Sequence, residues 1–113
     1  MGLDMYAHRV QREKVAYWRK HNMLHGWMEQ LWNSRGHEGT FNCVQLELYE
    51  EDIDQLERDI NNFNLPETQG FFFGGGYTKE EYEKYYKDDD LAFIEKCREA
   101  FAEGDGIVYD SWW

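Results

Sequence analysis

Residues 3–9 alternate, with Leu3, Met5 and Ala7 set against Asp4, Tyr6 and His8. That period of two predicts a strand with one buried face. The spacing then changes. Residues 13–32 contain no proline and a single glycine, Gly26. At about 100° per residue, Tyr17, Leu24, Trp27, Met28 and Leu31 share one helical face, and Arg19, Asn22, Gly26, Gln30 and Asn33 oppose it. The glycines Gly36 and Gly39 mark residues 34–40 as a loop. Residues 43–48 read as a second strand, with Val44, Leu46 and Leu48 on one side. Over residues 50–63, Ile53, Leu56, Ile60 and Phe63 form the stripe of an amphipathic helix. Its first turn holds Glu50, Glu51 and Asp52, where the helix dipole favours negative charge, and Pro66 lies in its exit.

Thr78 with Glu81 forms a capping box, predicting a short helix that carries Tyr82, Tyr85 and Tyr86. Asp88, Asp89 and Asp90 cap a last helix with Leu91, Ile94, Cys97 and Phe101 inward, and Gly104 stops it. Residues 107–113 are a final apolar strand. The predicted order is β-α-β-α-α-α-β. It describes one α+β domain over residues 1–113: a small sheet of about three strands with three to four helices packed on it.

Composition narrows the function. The chain has 113 residues, 42% of them hydrophobic, which is enough for a core and argues against disorder. No apolar run approaches the ~20 residues of a membrane helix, and no signal peptide opens the sequence. A complete, soluble, cytoplasmic protein with no membrane partner is expected. The net charge of −11 disfavours direct binding to a nucleic-acid backbone. That charge is unevenly placed. Residues 1–40 hold six Lys/Arg against four Asp/Glu and all four histidines, while residues 41–113 hold six against nineteen. The acidic two-thirds would attract a basic partner. Cys43 and Cys97 are too few for a disulfide framework and read as buried, reduced thiols.

The motifs yield no catalytic set. His21 and His25 stand four apart on the predicted helix, a spacing that can clamp zinc. Asn22 stands where a metalloprotease needs its glutamate, and a metal site would still need a third ligand such as His8, His37 or a carboxylate, so no metal is assigned. Trp18, His25 and Trp32 run at i, i+7, i+14 and would form a row of flat rings suited to a planar ligand. The run Gly70-Phe71-Phe72-Phe73-Gly74-Gly75-Gly76 is not a phosphate loop, because Tyr77-Thr78 follows it rather than Lys-Ser/Thr. Neither Ser34 nor Ser111 lies in a nucleophile elbow. No enzyme and no cofactor is implied. The terminal Trp112 and Trp113 either dock on the sheet or anchor a partner.

The opening Met-Gly-Leu-Asp-Met-Tyr, the run Tyr17, Trp18, Arg19, Lys20, Asn22, His25 and Trp27, and the Gly-Phe-Phe-Phe-Gly turn together resemble a family of small bacteriophage and prophage proteins. The likeness covers most of the chain. It departs from the family pattern in the triple glycine and in the acidic, tryptophan-ended tail. The resemblance implies a setting, the cytoplasm of an infected bacterium, rather than a chemistry. It also sharpens one point, because Arg19, Asn22 and His25 are polar residues of the motif that core packing does not require.

Two functions follow as expectations. The first is a non-catalytic acidic binder of a host or defence protein with a basic surface. It would use Glu50, Glu51, Asp54, Asp88 and Asp89, with Trp112 and Trp113 as anchors. The second is a protein that binds or sequesters a nucleotide-like small molecule through Trp18, Arg19, Asn22, His25 and Phe72. A filled space around Trp18 and His25 favours the first, and a cavity of several hundred Å3 favours the second.

Overall fold

A computed structural model of the chain describes residues 3–10, 14–19, 21–37, 39–42, 44–66 and 78–112, with the side chains of Arg19, Asn22 and Trp112 outside that description. The elements are β1 (Asp4–Arg9), β2 (Lys14–Arg19), α1 (Asn22–Ser34), β3 (Leu46–Leu48), α2 (Glu50–Asn61), α3 (Lys79–Tyr85), α4 (Lys87–Ala102) and β4 (Ile107–Trp112). The four strands form one antiparallel sheet in the order β2-β1-β4-β3. The α+β class and the helical layer agree with the sequence reading, and the sheet gains a strand.

That strand is β2, which corrects the helix expected over residues 13–32. Residues 14–19 pair with β1, Met5 opposite Trp18 and Tyr6 opposite Tyr17, with an irregularity between Ala7 and His8. Val15, Tyr17 and Trp18 suit a strand, and no glycine or proline separates them from α1. The usual helix-start signal is also missing. His21 occupies the cap position but offers no side-chain cap, because its ring is engaged elsewhere. Tyr17 therefore leaves the predicted apolar face and is half exposed, at 48%.

The alternation in β1 is as read, with Leu3, Met5 and Ala7 fully buried. The same face of the sheet carries Ile107 and Tyr109 from β4 and Leu46 and Leu48 from β3, all buried. The helices pack on this face. Ile53, Leu56 and Ile60 of α2 and Phe93, Ile94 and Cys97 of α4 close the core. α1 is more deeply placed than its pattern implied: residues 23–28 are all buried, including Gly26, which the helical wheel put towards water. At its start α3 has the expected capping box, Thr78 Oγ1 accepting from the Glu81 N–H at 3.2 Å and Glu81 Oε1 from the Thr78 N–H at 3.1 Å. Gly104 ends α4 with φ +79°, a left-handed conformation that glycine adopts without strain. Phe63 lies past the end of α2 rather than within it, at φ 48°, yet its ring still meets Tyr82 at 5.5 Å.

Candidate functional site

Of the residues proposed for a ligand, Trp18 and His25 are described with their side chains, and both are buried. Trp18 sits on β2, so the Trp18, His25, Trp32 row at helical spacing does not exist. Trp18 is 6% exposed, donates from Nε1 to Asp90 Oδ1 at 3.0 Å, and meets Phe93 edge-on at 4.9 Å. His25 is fully buried. Its Nδ1 lies 2.6 Å from the Tyr109 hydroxyl, and its ring stacks on Phe41 at 5.1 Å. Burial lowers the His25 pKa to about 4, so the imidazole that shares a hydrogen bond with the Tyr109 hydroxyl is neutral. Burial likewise raises the Tyr109 phenol, against a hydrogen bond from Ser111 that lowers it. Trp32 packs between Phe41 at 5.2 Å and His37 at 5.3 Å. Phe72, with the whole of residues 70–76, lies outside the described residues, as do the side chains of Arg19 and Asn22.

His21 and His25 part company despite their spacing. His21, fully buried, donates from Nε2 to Asp90 Oδ2 at 2.7 Å and meets the Tyr86 ring at a tilt, 4.6 Å between centroids. Among the described residues no group of three or more His, Cys, Asp or Glu side chains gathers as a metal site. Cys97 is a buried free thiol, and burial raises its pKa, which disfavours the thiolate. Cys43 lies outside the described residues.

Sequence reasoning missed two buried carboxylates. Asp90 accepts from Trp18, His21 and the Tyr82 hydroxyl, the last at 2.5 Å. It thereby ties β2, the start of α1, α3 and α4 together. Asp59 accepts from Trp27 Nε1 at 2.8 Å and Gln55 Nε2 at 3.0 Å, joining α1 to α2. The signal was present in the spacing. Asp90 precedes the buried Phe93, Ile94 and Cys97 by three, four and seven, so it belongs to the inward stripe of α4 and not to its cap.

The outward carboxylates fall into separate places. Asp54, with Glu57, is held by Arg98 of α4, at 2.8 Å each, so it ties two helices together. Asp88 and Asp89 are exposed in the first turn of α4. Glu50 and Glu51 are exposed in the first turn of α2. None of these last four makes an ion pair among the described residues.

Glu50 and Glu51 border an open cleft of about 440 Å3, together with Glu47, Tyr49 and Asp105. The Tyr49 ring is 46% exposed. Beside it the chain shows how a guanidinium is held at this end of the sheet. Arg35 lies over the Tyr49 ring at 4.9 Å, donates to the Glu47 carbonyl at 2.6 Å, and pairs with Asp52. On the far side of the cleft, Asp105 is already neutralised by Arg9. Trp113 and the side chain of Trp112 lie outside the described residues.

Among the described residues no helix is long and apolar enough to cross a membrane. No protein-family profile, no curated protein and no solved structure matches the chain.

Proposed function

We propose that this chain is a small non-catalytic binding protein that docks on a basic surface of a host or defence protein, in the cytoplasm of an infected bacterium. The observation that carries this reading is the cleft at the start of α2. Glu50 and Glu51 are exposed there without an ion pair among the described residues, next to Glu47 and the exposed Tyr49 ring. An arginine or lysine of a partner finds in it carboxylates to pair with, beside a Tyr49 ring that already carries Arg35. Exposed pairs are individually weak, so their main effect is on encounter and orientation. The nucleotide-like alternative loses support, because Trp18 and His25 are turned into the core, where Trp18 Nε1 bonds Asp90 and His25 Nδ1 bonds the Tyr109 hydroxyl.

Fluorescence anisotropy with a labelled arginine-rich peptide tests the reading. Binding is expected at low salt, weakening steeply as salt rises. Charge reversal with Glu50→Lys and Glu51→Lys together is expected to weaken it about tenfold or more, while Asp88→Lys weakens it far less. Equal losses from both variants would reduce the cleft to a contributor to net charge. Absence of binding by the parent chain would remove the proposal.

A further inference from the structure

β2 is an outer strand of the sheet, and α4 runs beside it. Between them lies an open groove of about 240 Å3, lined by Ala16 and Trp18 on the strand and by Asp89, Ala92, Phe93 and Lys96 on the helix. An outer strand presents a row of backbone N–H and C=O groups that readily pairs with another strand. The β2 sequence, KVAYWR, is rich in strand-forming side chains. Among the described residues no strand lies beyond it.

The helical wall of the groove has a pattern of its own. Asp89, Ala92, Phe93 and Lys96 fall at i, i+3, i+4 and i+7, so they form one stripe along α4. The stripe begins with an acid, ends with a base and has a small residue at its centre. Asp89 and Lys96 are both exposed, and neither makes an ion pair among the described residues. Turned end for end, such a stripe is complementary to itself. Asp89 then meets Lys96 of the partner subunit, Lys96 meets Asp89 of the partner subunit, and Ala92 at the middle lets the two helices approach closely.

We propose that two copies of this chain join β2 to β2 about a two-fold axis, extending the sheet and laying α4 antiparallel against α4 of the second copy. An antiparallel strand pair and an antiparallel helix pair are produced by the same axis, so a single operation satisfies both features. An extended peptide from another protein would also pair with the strand, but it would not require an acid and a base seven residues apart on one helix. The cleft at Glu50 and Glu51 lies at the opposite end of α2 and α4 from Asp89, so this interface leaves it open.

Sedimentation velocity of the full chain over a hundredfold concentration range tests the dimer, with three variants for comparison: Asp89→Lys, Lys96→Asp, and the two combined. All substituted side chains are exposed, and circular dichroism melting confirms that each variant is folded. The parent chain is expected to associate reversibly to a dimer. Each single reversal puts like charges opposite one another at two symmetry-related places and is expected to raise the dissociation constant about tenfold or more. The double reversal restores opposite charges and should return it to within roughly threefold of the parent. A parent chain that stays monomeric, a dimer indifferent to the single reversals, or a double variant no better than either single would each overturn the proposal. Recovery in the double variant separates a second copy from a foreign peptide, since only a second copy carries the compensating residue.

Discussion

Asp88 and Asp89 stand in water at the start of α4, and the next residue, Asp90, is fully buried with three donors around it. The same division runs through α2, where Glu50 and Glu51 are exposed while Asp59 is 9% exposed and bonded to Trp27. Identical functional groups thus do opposite jobs a few residues apart. The outer carboxylates contribute charge to the surface, while the inner two are acceptors for indole, imidazole, phenol and amide hydrogens that would otherwise be buried without partners. The net charge of −11 is therefore not one property. The inner pair cross-links the core, Asp52, Asp54, Glu57 and Asp105 are held by arginines of the same chain, and Glu50, Glu51, Asp88 and Asp89 stand exposed.

Removing an inner carboxylate should have the largest effect. Asp90→Ala strands the Trp18 N–H, the His21 ring and the Tyr82 hydroxyl together. It should cost about 3–5 kcal/mol in urea unfolding, enough to leave a domain of this size partly unfolded. Asp59→Ala should cost less, about 1–3 kcal/mol, because its surroundings retain some access to water. Equal costs for the two would mean that the Asp90 donors find other acceptors, and that the four-element junction is not what holds β2 in place.

How much of this arrangement the sequence revealed depends on whether the signal was periodic. The alternation of Leu3, Met5 and Ala7 and the stripe of Ile53, Leu56 and Ile60 located β1 and α2, because each repeats one burial environment several times. The Thr78 and Glu81 box located α3 because its chemistry is entirely local. β2 was illegible for the converse reason. Its six residues carry no breaker, and its state is decided by pairing with β1 and by the Trp18 bond to Asp90, 72 residues away. Separations of 72 and 84 residues to their partners hid the fate of Trp18 and His25. A rank of aromatic and polar side chains looks alike whether it faces a ligand or a set of internal acceptors, and only the fold supplies Asp90 and Tyr109.

His25 is a basic side chain in the same interior, and burial disfavours its charged form. Its pKa falls from 6.5 to about 4 by burial, so the folded state holds the ring neutral while the unfolded chain can protonate it. The contribution is complete above pH 6.5 and is lost as pH falls towards 4, a change of about 3 kcal/mol over that window. Stability measured by chemical unfolding at stepped pH should fall accordingly. In His25→Gln the slope between pH 6.5 and 5 should flatten, even though that variant is less stable at neutral pH. If the parent and the variant fall in parallel, the acid sensitivity belongs to other groups.

The smallest effect is the most diagnostic of the outer set. Each of Glu50 and Glu51 gains from the α2 dipole and loses to its acidic neighbours, two terms of similar size and opposite sign. Glu50→Gln with Glu51→Gln should therefore change unfolding free energy by about 0.5 kcal/mol or less, while weakening the arginine-rich peptide. Binding and stability then separate, as they must if these side chains face a partner and no part of the fold depends on them. A stability loss comparable to that of Asp59→Ala would place Glu50 and Glu51 among the structural acceptors. The boundary drawn between inner and outer carboxylates would then lie in the wrong place.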